Sequence, residues 1–213
     1  MNAQPDPAAQ SPPSVPVTQA AAEGRDLFPL VKGRRWHYDV EAVRGTGEPE
    51  KLTAVRSIQD TRAVAGVEYS RIVTEVTGGT LRVPEQLYRA DAKGVFAAVQ
   101  GAEGKELLVL PADPATQKAW KGEAKPSINQ FSGGATLGET FKHADREYTG
   151  CVKVVLTMGI PEKSFFGGAT EVPVRMERWF APGIGLVREV RTVGQEGKAN
   201  YLKTDSKLAR VED

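Results

Sequence analysis

Cys151, His37 and His143 are this chain's only cysteine and histidines, and they invite a test for nucleophilic catalysis. A thiol attacks carbonyls when a neighbouring imidazole takes its proton, so a Cys–His pair would make the chain a hydrolase. The three residues lie far apart in sequence. No local catalytic signature surrounds Cys151 in Tyr148-Thr-Gly-Cys-Val-Lys-Val-Val-Leu. A cysteine in such a strand-like run is expected to be a small buried hydrophobe. A single cysteine also forms no intrachain disulfide. Neither histidine has a His, Cys or carboxylate at ligand spacing in a recognised pattern, so no metal site and no cofactor is expected.

Carboxylates offer a second route to chemistry. Glu139, Asp145, Glu147, Glu171, Glu177 and Glu189 could converge in a folded barrel as an acid–base pair. Arg175, Arg178, Arg188 and Arg191 are interleaved with them, and cross-strand surface pairing is the simpler expectation. Gly-Gly-Ala-Thr occurs twice, after Phe131-Ser and after Phe166. Neither copy is followed by Gly-Lys-Ser/Thr or framed by a strand–loop–helix unit, so both read as turns beside strands, not phosphate cradles. A Gly-X-Ser-X-Gly elbow is absent. No catalytic residue is assigned.

Charge narrows the partners. Lys and Arg number 28 against 27 Asp and Glu, interspersed, for a net charge of +1. A nucleic-acid binder needs a clustered basic footprint, and an electrostatic membrane binder needs a basic run; neither is here. No window approaches the ~20 apolar residues of a membrane span. Residues 1–25 carry Pro5, Pro7, Pro12, Pro13 and Pro16 among Ala, Gln and Ser, with no aromatic residue. Such a segment cannot bury enough apolar surface to offset its ordering entropy, and a disordered tether is predicted. It lacks the basic and apolar regions of a signal peptide. Its composition is that of the tether that follows a processed export or lipoprotein signal, so an extracytoplasmic location is expected.

These candidates would all be positioned by strands. Short runs rich in Val, Thr, Ile, Tyr, Phe and Trp recur between Gly, Pro, Asp and Asn clusters, the pattern of an all-β sandwich or barrel. In Arg34–Val43, Trp36, Tyr38, Val40 and Ala42 alternate with His37, Asp39 and Glu41, so one face is buried. Arg178–Val190 reads as a hairpin. Pro182 pre-sets φ at the first turn position, Gly183 supplies a positive φ at the second, and Gly185 marks a bulge or a close backbone approach. About eleven strands with short loops predict one antiparallel meander. The one short helix expected is Ala115–Trp120, with Asp113 as cap and Pro114 at its first position. The expected organisation is a tether over 1–25, a β domain over 26–205 and a tail over 206–213.

Aromatic residues recur in the strands, several with apolar residues on both faces: Val174, Met176 and Phe180 oppose Trp179. A curved sheet that packs one face and encloses a cavity with the other reads this way, and so does a plain sandwich core. Trp36, Tyr38, Tyr148, Trp179 and Phe180 are the candidate cavity-lining residues.

Three segments carry a resemblance: Phe28-Pro-Leu-Val-Lys-Gly-Arg-Arg-Trp-His-Tyr, Tyr148-Thr-Gly-Cys-Val-Lys-Val and Trp179-Phe-Ala-Pro-Gly-Ile-Gly-Leu-Val-Arg. Leu27 to about Tyr201 resembles bacterial secreted or lipoprotein-like proteins of unassigned function. Phe180 stands where that pattern usually has Tyr, and Ile184 where it has Val. The resemblance implies an open antiparallel β-barrel or half-barrel, similar to the lipoprotein-carrier fold, with a hydrophobic cavity. The leading expectation is a non-enzymatic extracytoplasmic domain that binds an acyl chain, a lipoprotein or an envelope partner. The alternatives are an interaction module of an envelope complex with a fully packed core, and a hydrolase using Cys151 or convergent carboxylates.

Overall fold

The structure, a computed structural model, describes residues 24–163 and 169–213. The tether over 1–25 lies almost wholly outside the described residues. A four-residue helical turn, α1 (Gly24–Leu27), precedes twelve strands. The first six are β1 (Arg35–Arg44), β2 (Glu50–Val64), β3 (Val67–Thr77), β4 (Gln86–Asp91), β5 (Gly94–Ala98) and β6 (Glu106–Pro111). The second six are β7 (Ala119–Ala124), β8 (Ile128–His143), β9 (Arg146–Lys163), β10 (Ala169–Ala181), β11 (Gly185–Val193) and β12 (Leu202–Glu212). All pairings are antiparallel, in the order β6-β5-β4-β3-β2-β1-β12-β11-β10-β9-β8-β7. The sheet curls into a nearly closed barrel with one seam, between β6 and β7. The expected all-β open barrel is what the chain forms.

Alternation explains the curl. On β1, Trp36, Tyr38, Val40 and Ala42 are buried, while Asp39 and Glu41 are exposed. On β12 the outward residues include Lys203, Asp205 and Lys207, paired across from β1 or β11. A charged outer wall around an apolar interior is the reverse of a barrel that faces lipid. Among the described residues, no helix is long and apolar enough to cross a membrane.

Several elements differ from the sequence expectation. β2 continues past Gln59, where a register shift between Ile58 and Asp60 admits one extra residue; the pattern breaks there but the strand does not. Asp113 does cap a turn, since its Oδ1 accepts from the amides of Ala115 at 2.9 Å and Thr116 at 3.3 Å. The expected helix over Ala115–Trp120 does not form. The turn ends after one bond, from the Gln117 amide to the Asp113 carbonyl, because Trp120 is drawn into β7. The Phe131 copy of Gly-Gly-Ala-Thr is not a loop but the middle of β8. Gly133 faces Trp120, and a Cβ there would lie 2.0 Å from the indole. Glycine is the residue that lets the ring lie flat on the strand. The same Trp120 donates from Nε1 to the Leu108 carbonyl at 3.0 Å, a stitch across the seam. The last strand runs to Glu212, so the sheet continues through the residues expected to form a tail.

One end of the barrel is plugged. Leu27 and Phe28 are buried, and Phe28 packs edge-on against Tyr88 and Phe180 at 5.2 and 5.6 Å. The β10–β11 turn closes over this plug. The Gly183 amide donates to the Asp26 carbonyl, and the Trp36 indole donates to the Ile184 carbonyl at 2.8 Å. Gly183 has φ 71° and Gly185 φ 103°. A Cβ on Gly185 would lie 3.3 Å from the Trp36 indole nitrogen, so the close backbone approach expected of Gly185 is towards this ring.

Candidate functional site

Between the plug and the other end of the barrel lies a cavity of about 820 Å³. Its walls come from both halves of the sheet: Leu87 and Tyr88 on β4, Ala97 on β5, Leu107 and Val109 on β6, Ile128 on β8, Ile160 on β9 and Met176 on β10. Ligand sites for small molecules fall in the range of about 300–1,000 Å³ and are mostly apolar with a few placed polar groups. Arg62, Pro84, Gln100, Gly101 and Glu103 are exposed and form the rim. Glu85 lines the cavity near this rim and is tied to Arg62 at 2.7 Å and to Arg71 at 3.4 Å.

The placed polar groups are arginines. Arg178 and Arg191 line the cavity. Arg178 is 4 % exposed, and the Arg56 and Glu189 side chains beside it are similarly buried. Arg178 donates from Nε to Glu189 Oε2 at 2.5 Å, and Arg56 Nη2 stands 3.5 Å from Glu189 Oε1. Burial by itself would raise the Glu189 carboxyl, but Arg178 and then Arg56 outweigh it and hold the group down at about 2. The carboxylate is therefore a fixed negative charge at neutral pH. The Arg56 guanidinium also lies over the Tyr38 ring, 5.4 Å from its centre. Two guanidiniums thus hold one carboxylate inside the barrel, and the charge of a third, Arg191, adds to their effect.

The sequence reading put these charges on the surface. The signal against that was present: Arg178 has the strand parity of Val174, Met176 and Phe180, and so points inward with them. Register does the rest, because Arg178 pairs with Glu189 and Met176 with Arg191 across β10 and β11. Arg188 is the residue that does pair outside, with Asp205 at 2.9–3.0 Å.

None of the five candidate lining residues is part of the cavity wall. Trp36, Tyr38 and Phe180 belong to the packed core at and beside the plug, and the Tyr38 hydroxyl donates to the Leu186 carbonyl at 2.8 Å. Trp179 has the opposite strand parity to Arg178, and Lys153 and Arg188 lie over its ring at 4.7 and 4.9 Å. Tyr148 stacks on Phe141, which in turn lies under Arg188.

Cys151 is buried, and its thiol donates to the Tyr148 carbonyl at 3.4 Å. Burial pushes its pKa up to about 11, so it is a thiol and not a thiolate at neutral pH. His143 bonds Asp39 at 2.8 Å, and His37 lies 3.1 Å from Glu212. The histidines thus face surface carboxylates. Among the described residues no cluster of three or more His, Cys, Asp or Glu is placed to hold a metal ion.

No family model matches this chain, and no curated protein matches it. Two solved structures are similar in shape. One is an inferred exported protein with a YmcC-like fold from Bacteroides fragilis, at 14% identity and TM-score 0.48, covering 90% of this chain and 100% of its own. The other is an inferred lipoprotein from Parabacteroides distasonis, at 12% identity and TM-score 0.47, covering 91% of this chain and 100% of its own.

Proposed function

We propose that this barrel is a non-enzymatic extracytoplasmic domain that takes a hydrophobic ligand, such as an acyl chain or the lipid of a lipoprotein, into its interior. The observation that carries this reading is the largely apolar cavity of about 820 Å³, open at the Gln100–Glu103 rim. A fully packed interaction module would have no such space. A Cys151 hydrolase has no thiolate to use. The extracytoplasmic location rests on the composition of residues 1–25 and on the resemblance to secreted proteins.

Native mass spectrometry of gently purified protein, with uptake of a fluorescent fatty acid, tests the reading. A bound lipid-sized species is expected, and Ala97→Trp, which fills the cavity from β5, lowers uptake. Finding neither bound species nor uptake in a folded protein overturns it.

A further inference from the structure

We infer that the ligand of this cavity is an amphiphile with an anionic head, a carboxylate or a phosphate, held by Arg178 and Arg191. The inference rests on the reading of the cavity as a ligand site and names the chemistry of its occupant.

The argument is one of unbalanced charge. Both oxygens of Glu189 are engaged, one by Arg178 and one by Arg56. Arg191 is left over. Its Nε is buried and finds no acceptor among the described residues. Arg178 has the Tyr88 hydroxyl beside it as a further acceptor and turns its Nη2 towards the Met176 thioether at 3.5 Å, so the unmet demand lies with its neighbours. Arg56 Nε is likewise buried without an acceptor. Buried guanidinium donors without partners are costly, and a fold retains them where an anion completes them. The negative groups of the cavity do not supply that anion. Glu85 is neutralised by Arg62 and Arg71, and Glu103 is exposed at the rim.

The neighbours suit a polar head with an apolar body. Tyr88 lines the wall beside Arg178, and its hydroxyl donates to Gln86 Oε1 at 3.3 Å, so neutral hydrogen-bonding groups sit near the cations. The rest of the wall is mostly apolar, through Leu107, Val99, Ile128 and Ile160, with Gln86 and Ser127 among them. A planar guanidinium meets a carboxylate or phosphate with two parallel bonds, which gives both affinity and orientation. The head therefore lies deep and the chain extends towards the rim.

Two matched pairs of probes at pH 8 test this by titration calorimetry: oleate against oleyl alcohol, and oleoyl-lysophosphatidate against monoolein. The wild-type protein is expected to bind the anion of at least one pair about tenfold or more tighter than its neutral partner. The pair that shows the gap identifies the head as carboxylate or phosphate. Arg191→Gln, at a partly buried position, is expected to close most of that gap and leave the neutral probe unchanged. Equal binding within both pairs, or a gap that Arg191→Gln leaves intact, overturns the anionic head while the cavity reading stands. If no probe binds folded wild-type protein, the cavity reading itself fails.

Discussion

The two faces of the β10–β11 hairpin use the same residue types for opposite ends. Inside, Arg178 and Glu189 are cross-strand partners buried with Arg56. Outside, Arg188 reaches Asp205 on β12 in a two-bond pair that is partly open to solvent. Geometry alone would rank the outer pair as the better one. Water reverses the ranking. An exposed pair exchanges one set of good hydrogen bonds for another, whereas a buried charge that loses its partner cannot return to solvent. The lesson is that the worth of an ion pair here is set by its face of the sheet.

Removing one inner partner should give the largest effect. Arg178→Met leaves the Glu189 carboxylate buried with only the longer contact to Arg56, and a loss of about 3–5 kcal/mol in urea-unfolding stability is expected. A loss under about 1 kcal/mol would show that the inner pair behaves like a surface one.

Acid titration probes the same face without mutation. The folded-state pKa of Glu189 is lowered from 4.5 to about 2, so its ionised form favours the folded state. That contribution is complete above about pH 4.5 and disappears as the pH falls towards 2. Its size is on the order of 3 kcal/mol. In Glu189→Gln the acid slope over this window should flatten, measured by urea midpoints from pH 5 to 2. An unchanged slope would assign acid sensitivity to other carboxylates.

A packing change on the inner face should cost less. Gly133→Ala places a methyl against the Trp120 ring, and about 1–3 kcal/mol is expected, with a change in tryptophan fluorescence as the indole leaves the Leu108 carbonyl. Unchanged stability and fluorescence would mean that the seam tolerates a displaced ring.

The smallest effect belongs outside. Asp205→Asn breaks the Arg188 pair and should cost about 0–1 kcal/mol, falling further in high salt. A double-mutant cycle with Arg188→Gln measures the coupling directly. A coupling as large as that of the inner pair would erase the contrast.

The sequence made the architecture readable because alternation has a period of two and burial follows it. Trp36, Tyr38, Val40 and Ala42 on β1 are the clearest case. The reading failed where the ladder breaks its own period. A bulge at Gln59 interrupts the alternation inside β2, and next to Gly150, at φ 65°, Cys151 and Val152 are both buried. Local capping chemistry misled at Asp113, where a real turn precedes a strand because Trp120 is needed at the seam. The site was harder to read. Parity could place Arg178 inward, but only the register of β10 against β11 puts Glu189 and Arg191 beside it, and only the closing of the sheet brings Arg56 there from β2. The large aromatic residues attracted the search for a cavity, yet large side chains fill space. The open volume is instead bordered by smaller ones such as Ala97, Ala98 and Val99.

The pairing of β1 with β12 has a kinetic meaning. Trp36 and Val211 are neighbours in the finished sheet, although they lie near opposite ends of the described chain. A chain that emerges from its N-terminal side can form the β1–β6 meander early, but the other edge of β1 keeps its amides and carbonyls unpaired until β12 arrives. Contacts of such long sequence separation slow folding and leave an exposed strand edge in the meantime. The barrel is thus completed by its last strand, and until that strand pairs, the free edge of β1 is the part of the sheet most open to edge-to-edge association.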